Sequence, residues 1–312
     1  MSAVRGTARG RRACLHPHQR LSAYRRVRFV GRVRGRALKL VPFDPLDPTA
    51  RELLSEGELT LVGRIVHASN ATLVAEASSD GRSVRCVYKP VRGERPLWDF
   101  PHGTLAGREV ASYLISEELG WGVIPRTILR DGPLGPGMVQ QWIDTPDRHP
   151  ESDGQLDLVD ICPPDEVPPG WLEVLRALDV HGAEVALIHA DDPRLQRLAV
   201  LDVLLNNADR KGGHALEGID GSVYGVDHGI CLHEEYKLRT VLWGWSGQPI
   251  GDDLMVDIES FVKRLGDEIA PVLAEYITVR EVDALRGRAT ALLHAPVMPH
   301  PSGSRPIPWP AF

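Results

Sequence analysis

Two short acidic turns constrain this chain more than any other feature. The run Asn206-Asn207-Ala208-Asp209-Arg210-Lys211-Gly212-Gly213-His214 follows an apolar helical pattern, and Val226-Asp227-His228-Gly229 follows a strand-like stretch. Asp209 and Asp227 are about eighteen positions apart, close to glycines that permit tight turns, so a compact fold can converge both carboxylates on one point. Phosphoryl transfer needs such a point. One carboxylate orients the attacking hydroxyl, a second holds a divalent ion against the phosphates, and a further ligand completes the metal site. A lysine from elsewhere must neutralise the phosphates. Lysine is scarce here, with five in the chain, and Lys89 sits late in the alternating run VRCVYKP. Glu109 lies in the next helical segment, and a buried ammonium needs such a carboxylate partner.

The surrounding pattern is α+β. Residues 59–65, 71–77 and 84–90 alternate as strands, with a turn at Ser69-Asn70. Residues 104–119 carry Leu105, Val110, Tyr113 and Leu114 at helical spacing, and Gly120 stops that helix. Residues 127–130 and 137–143 are further strands. Beyond Asp144 the character changes. Residues 145–170 read as a long connection and 171–178 as a helix. Residues 192–206 are a helix capped by Asp191 or Asp192, with Pro193 at its first position and a stripe of Leu195, Leu198, Leu201 and Leu205. Residues 221–226 read as a strand, and 252–269 and 279–293 as helices. The expected division is a basic, disordered extension and linker over 1–45, a β-rich lobe over 46–143, a mainly helical lobe over 144–295, and an irregular Pro-rich tail over 296–312. Strands with one helix followed by a helical half argue for two lobes sharing a cleft, not a β-α-β alternation.

Charge and cysteine usage narrow the setting. Residues 1–40 hold twelve of the 36 Lys and Arg and no acid, so the rest has 24 basic against 42 acidic residues. An acidic body argues against a nucleic-acid-binding core. The Arg-rich head lacks the apolar stretch of a secretory signal. Cys14, Cys86, Cys162 and Cys231 are far apart and form no C-x-x-C, which points to a reduced, cytoplasmic setting. No apolar run is long enough to span a bilayer.

The order Lys89, Glu109, Asp209-Arg210, His214, Asp227-His228-Gly229 resembles the two-lobed, protein-kinase-like fold of the phosphoinositide 3-/4-kinase superfamily of atypical kinases, and an actinobacterial branch of it. Leu201-Asp202-x-x-x-x-Asn207-x-Asp209-Arg210 is similar to the catalytic loop of type II phosphatidylinositol 4-kinases. The resemblance implies that Asp209 is the catalytic aspartate, that Arg210 supports its loop, and that His214 and Asp227 bind metal. It also implies that Lys89 and Glu109 position the phosphates. Residues 63–73, with Ser69 and Asn70, stand where that family has its phosphate-covering hairpin. Gln140, Gln141, Trp142 and Ile143 stand at its adenine-contacting hinge. ATP and Mg²⁺, with Mn²⁺ as an alternative, are the implied cofactors, and a nucleotide and an unidentified hydroxyl-bearing acceptor the implied partners. Three departures accompany the match: His214 replaces an asparagine, Lys211 replaces a histidine, and the hairpin lacks G-x-G-x-x-G.

Other readings of the same residues exist. Asp209, His214, Asp227, His228 and His233 could build the centre of a metal-dependent phosphohydrolase, in which Lys89 would be dispensable. A nucleotide-binding pseudokinase scaffold is the non-enzymatic alternative. Asp202 is expected to face inward and brace the loop. Trp243 and Trp245 read as core packing before an aromatic substrate platform, and His181 and His189 as structural.

Overall fold

A computed structural model describes residues 44, 47–65, 70–146, 156–179 and 181–312, plus the backbone of three short strands, Cys14–Leu15, Val27–Phe29 and Lys39–Leu40. Apart from those strands and Asp44, the expected basic extension lies outside the described residues. So does Ser69.

The first lobe is a mainly antiparallel sheet flanked by two helices. Its longer strands are β1 (Glu58–Ile65), β2 (Leu73–Ser79), β3 (Arg82–Pro90), β4 (Thr127–Gly132) and β5 (Gly135–Gln141), in the order β1-β2-β3-β5-β4; the short strand Val27–Phe29 pairs antiparallel with β1 and Lys39–Leu40 parallel with β3. Asp80 and Gly81, with φ of 51° and 77°, supply the two left-handed residues that a tight β2–β3 hairpin requires. Helix α1 (Pro48–Glu56) starts at Asp47, whose carboxylate accepts from the Thr49 N–H at 2.7 Å, and has proline at its first position. It packs Ala50, Leu53 and Leu54 against Ala75, Ala77, Cys86, Tyr88 and Val139. Each of its two buried leucines contributes about 1.5–3 kcal/mol.

Strand alternation then decides where Lys89 goes. Cys86 and Tyr88 face the α1 side, so Val87 and Lys89 face the other. Val87 joins Ile65 and Val74 there. Helix α2 (Leu105–Glu118) covers the same face, packing Ala106 and Val110 on Met138, which is paired with Lys89 across the ladder.

The second lobe contains a small sheet and most of the helices. Strands β6 (Val159–Cys162), β7 (Trp171–Asp179) and β8 (Glu184–Ala190) form an antiparallel unit in the order β7-β8-β6. The helix expected over 171–178 is therefore a strand, and the expected connection over 145–170 contains β6. Leu, Glu, Arg and Ala favour helix locally, but tertiary pairing overrides that preference. The Asp179 carboxylate accepts from the N–H groups of His181 and Ala183 at 2.8 Å each, turning the chain so that β8 pairs along β7. An irregularity between Glu173 and Leu175 shifts the register and blurs the strand period in the sequence.

Helix α3 (Pro193–Leu205) begins at the Asp192 cap and ends at Asn206 in left-handed conformation, φ 53°. Its four striped leucines are fully buried. The hairpin of β9 (Ala215–Glu217) and β10 (Val223–Gly225) follows. Then come α4 (Asp252–Arg264), a π-turn over Leu265–Ile269, α5 (Ala270–Leu273) and α6 (Val279–His294). A large core joins these helices to α2 and α3. The whole is an α+β fold with a β-rich first lobe and a mainly helical second lobe. Cys86 and Cys231 are buried free thiols, and Cys162 is buried as well. Among the described residues no helix is long and apolar enough to cross a membrane.

The tail has no regular element, yet it is firmly packed. The Gly212 N–H donates to Ala311 O at 2.8 Å, and the Trp243 indole N–H donates to Pro306 O at 2.9 Å. The Phe312 ring lies so close to Gly212 that a β-carbon there would meet it at 2.4 Å.

Candidate active site

The β9–β10 hairpin closes the gap between the two acidic turns. Ala215 pairs with Gly225, and the Val226 N–H donates to His214 O at 3.0 Å, so the residues entering and leaving the hairpin lie side by side. His214 and Asp227 are thus neighbours, with His214 Nε2 3.4 Å from Asp227 Oδ2. Asp227 itself sits at φ 62°, a left-handed conformation uncommon for aspartate and often found at functional sites. Its side chain is 51% exposed although Lys89 and His214 lie beside it.

Arg210 locks the two turns together. It is completely buried, as is Asp202 on α3, and its Nε lies 2.8 Å from Asp202 Oδ2. The same guanidinium donates to His214 O at 2.9 Å, to Val226 O at 3.2 Å and to His228 Nε2 at 2.6 Å. Asn207 bridges Asp202 Oδ1 and the Asp209 N–H, at 2.8 and 2.9 Å. Arg210, grouped with the catalytic residues from sequence, lies beneath the cleft and acts as a positioning residue. Burial, reinforced by Arg210, drives His228 far below the usual histidine range, so its ring is neutral and able to accept.

From the first lobe, Lys89 Nζ reaches Glu109 Oε1 at 2.5 Å and Asp227 Oδ1 at 2.8 Å. The Glu109 side chain is only 2% exposed. Two features aim it. Glu94 accepts from the first N–H groups of α2, Leu105 and Ala106, at 2.9 and 2.8 Å, a favourable placement for an anion. Arg108, the adjacent residue, anchors α2 to the second lobe through Glu281 at 2.6 Å and Cys231 O at 2.9 Å. Gly229 lies under α2, where a β-carbon would press on Leu105 at 3.2 Å.

The charges are strongly coupled. Burial alone would lower the Lys89 pKa, but Asp227 and Glu109 outweigh it and raise it, so the ammonium stays charged. Burial likewise acts to raise Asp227, yet Lys89 and His214 hold its carboxyl well below the usual range. Burial raises Glu109 against the opposing pull of Lys89. At 2.5 Å the pair is held as an ammonium and a carboxylate. Asp209 is pushed up to about 6, chiefly by burial, against Lys211, whose Nζ is 3.1 Å from Asp209 Oδ2. Burial lowers His214 to about 4, so it is neutral at pH 7.

The other predicted site residues are placed as follows. Ile143 is 1% exposed and packs with Leu216, Tyr224 and Val226 in the second lobe; its N–H has no hydrogen-bond partner among the described residues. Trp142 packs against the Ile65, Val74 and Val87 cluster of the first lobe. Adjacent residues Trp142 and Ile143 thus pack into separate apolar clusters, one in each lobe. The Gln140 and Gln141 side chains point to Thr127 and Asp44, at 2.8 and 3.2 Å. Asn70 accepts from the Arg95 N–H at 3.0 Å. Trp243 and Trp245 are buried, and the Trp245 indole donates to Asp191 at 2.8 Å, as core residues do. His189 is buried, while His181 is exposed.

The phosphohydrolase arrangement does not assemble. His228 is committed to Arg210, and His233 packs edge-on to Phe100 with its Nδ1 accepting from the Glu235 N–H at 2.9 Å. Among the described residues no group of three or more His, Cys, Asp or Glu is placed to hold a metal.

Sequence reasoning gave no role to Lys211, Arg108 or Glu94. Lys211 stood in plain view two residues after Asp209, among only five lysines. Arg108 and Glu94 left no signal, because their partners are set by packing.

No family model matches the chain. Protein Rv2133c of Mycobacterium tuberculosis is 59% identical over 262 residues, which cover 83% of this chain and 94% of that protein. The chain belongs to the Rv2133c family. Among solved structures, it is similar to the Helicobacter pylori proinflammatory kinase CtkA, with a TM-score of 0.42, 10% identity, and coverage of 78% of this chain and 93% of that one. Hydra Fam20, solved with sugar, gives 0.42 and 12%, covering 78% and 86%. The Golgi casein kinase gives 0.41 and 13%, covering 81% and 78%.

Proposed function

We propose that this chain is an ATP-dependent phosphotransferase that moves the γ-phosphoryl group to a hydroxyl acceptor. The observation that carries the reading is Lys89, which bridges Glu109 and Asp227 at 2.5 and 2.8 Å from a strand about 140 residues before the second acid. A lone ammonium between one buried and one half-exposed carboxylate is poorly explained as packing, because desolvating three charges costs several kcal/mol per ion before pairing offsets it. It is well explained as a phosphate-binding lysine held ready by a helix glutamate.

Each residue then has a task. Lys89 binds the non-bridging phosphate oxygens, and Glu109 fixes its direction. The apolar side chains of Val87, Trp142 and Ile143 suit a purine ring, and the unpartnered Ile143 N–H offers a donor to it. Asp209 accepts a hydrogen bond from the acceptor hydroxyl and orients it in line with the γ-phosphorus. Lys211, 3.1 Å from Asp209, is suited to stabilising charge on the transferring group.

Asp227 and His214 would hold a divalent ion. Nucleotide-bound ions of this kind take one or two protein ligands and fill the remaining positions with phosphate and water, so the small donor set fits. When bound, that ion neutralises charge on the phosphates. The phosphoinositide resemblance rests on the string from Leu201 to Arg210 and leaves the acceptor as lipid, protein or small-molecule hydroxyl.

The test is nucleotide binding followed by transfer of labelled γ-phosphate. Lys89→Ala should weaken ATP binding, and Asp227→Ala should abolish metal-dependent turnover. Unchanged behaviour in both variants refutes the reading. Metal-dependent binding with no transfer to any acceptor would identify a nucleotide-binding scaffold instead.

A further inference from the structure

We infer that the acceptor is a protein, whose hydroxyl-bearing segment docks on the exposed rings of Trp98, Tyr236 and Trp309 and offers an acidic side chain to Arg239. The inference rests on the phosphotransferase reading and names the acceptor class which that reading leaves open.

The segment 236–241 runs beside the Asp209 loop. The Arg239 N–H donates to Asn207 O at 2.9 Å, the Arg210 N–H to Arg239 O at 3.1 Å, and the Val241 N–H to Arg210 O at 3.1 Å. Arg210 and Thr240 thus form a parallel bridge, and both are buried. Successive residues of extended chain face opposite ways, so Asp209 and Arg239, the residues just before them, turn to the other side. Their exposure agrees. Both are half-buried between buried neighbours, Ala208 and Arg210 on one segment, Leu238 and Thr240 on the other. Arg239 therefore stands one strand spacing, about 4.8 Å, from Asp209. Lys211 takes the Asp209 carboxylate at 3.1 Å, and among the described residues the Arg239 guanidinium has no hydrogen bond or ion pair.

The loop that carries Arg239 is a built element. Asn206 Nδ2 donates to His233 O and Glu235 O at 3.0 and 2.6 Å, and its Oδ1 accepts from the Lys237 N–H at 2.8 Å. Lys237 Nζ lies 3.6 Å from Asp99 Oδ2, and His233 packs edge-on to Phe100, so the loop after β3 is clasped to this one. That second loop is tied at its other end to Asn70, just before β2, through the Arg95 N–H.

Among the described residues three aromatic rings are exposed: Trp98 at 91%, Tyr236 at 54% and Trp309 at 52%. Trp98 and Tyr236 are each next in the chain to one member of the Asp99–Lys237 pair. Trp309 lies between Pro306, whose carbonyl accepts from the Thr240 N–H at 3.1 Å, and Ala311, whose carbonyl accepts from the Gly212 N–H at 2.8 Å. All three therefore border the segments that carry Asp209 and Arg239. Single exposed apolar residues need no explanation, but Trp, Tyr and an unpaired Arg gathered at one place are the residues that dominate protein-binding surfaces.

A bilayer fits these rings less well. Asp99, Glu234 and Glu235 border them, and beyond residue 40 the chain carries 24 basic against 42 acidic residues, so an anionic membrane surface is repelled. One carboxylate reaching Arg239 meets no such penalty. A small alcohol would leave the rings in water. In the transfer the serine or threonine oxygen bonds to the γ-phosphorus, the bond from that phosphorus to the β,γ-bridging oxygen breaks, ADP leaves with the electron pair, and the hydroxyl proton passes to Asp209 and on to solvent.

The test is transfer of labelled γ-phosphate by the full-length protein, with ATP and Mg²⁺ or Mn²⁺, to an array of serine- and threonine-centred peptides. Peptides with Asp or Glu next to the hydroxyl residue should be used about tenfold better than matched Lys peptides. Arg239→Glu should reverse that preference, and Trp98→Ala should raise KM about tenfold or more with kcat little changed. Equal use of acidic and basic peptides by wild type, or the same ranking in R239E, overturns the inference. Should R239E not fold, the wild-type ranking and W98A decide. No transfer to any peptide also overturns it. Vesicles of phosphatidylcholine and phosphatidylinositol in the same assay, with thermal shifts by ATP, separate the two proposals. ATP binding and transfer to lipid but not to peptide removes the protein acceptor and leaves phosphotransfer standing. No ATP binding and no transfer to either removes the phosphotransferase reading itself.

Discussion

Replacing Lys89 with methionine keeps the volume of the side chain and removes its charge, so its consequence can be worked from the site. Glu109 is 2% exposed and would lose the one cation paired with it among the described residues, while Asp227, 51% exposed, can be stabilised by water. The exposed partner contributes less than about 1 kcal/mol. A fully charged Glu109 left without a partner would cost about 3–5 kcal/mol. The folded protein has a second option, which is to take up a proton. At pH 7 that costs about 1.4 kcal/mol for each unit above an ordinary glutamate pKa of about 4.3, or roughly 3.7 kcal/mol. Protonation therefore sets the upper limit. At pH 5 the same limit is about 1 kcal/mol. In the variant the folded-state Glu109 pKa is raised by burial and by Asp227, with the lysine's opposing pull gone. The folded state then binds the proton more tightly than the unfolded state, so stability falls as pH rises through and above the unfolded value. Urea unfolding followed by tryptophan fluorescence should show K89M losing about 3 kcal/mol relative to wild type at pH 7 and about 1 at pH 5. Adding Glu109→Gln should recover most of the loss and remove its pH dependence. A K89M protein equal to wild type at both pH values, or a double variant no better than K89M, would refute the buried-pair argument.

Three further outcomes follow from the same geometry. Because burial lifts Asp209 to about 6, ionising it costs folding energy above that pH, so Asp209→Asn should be more stable than wild type at pH 7.5 by on the order of 1–3 kcal/mol. That gain should fade below pH 4, where both proteins are neutral there; a D209N protein less stable at pH 7.5 contradicts the assignment. Arg210→Ala leaves Asp202 buried and unpaired and should cost about 3–5 kcal/mol in urea unfolding, with Arg210→Lys recovering only part, since one ammonium cannot reach all four of its partners. Deleting residues 306–312 removes the acceptors of the Gly212 N–H and the Trp243 indole N–H, so hydrogen exchange should accelerate at Gly212 and Thr240 and stay unchanged in β3; equal exchange at Gly212 in both proteins would show that the tail is not a brace.

The sequence could be read wherever the controlling interactions are local. Asp192 and Pro193 marked the start of α3, Gly120 the end of α2, and alternation the strand that carries Lys89. Charge scarcity pointed to Lys89, and turn chemistry pointed to Asp209, His214 and Asp227. Reading failed for β7, where helix-favouring residues are held extended by their pairing with β8. It also passed over Arg108 and Glu94, because an arginine beside a glutamate in a helix looks the same whether it meets solvent or Glu281. The tail read as irregular, which it is, but its packing against Gly212 was invisible because proline-rich segments carry no period.

By itself the sequence determined the α+β character and the limits of α2, α3 and the strand that carries Lys89, since capping, alternation and residue type act over a few neighbours. Tertiary structure alone decided that Lys89 meets Glu109 and Asp227, that Arg210 is fully buried on Asp202, and that His214 Nε2 lies beside Asp227. Those are contacts between residues up to about 140 positions apart, and only burial and hydrogen bonding in the packed core select them from the many pairings the chain could form.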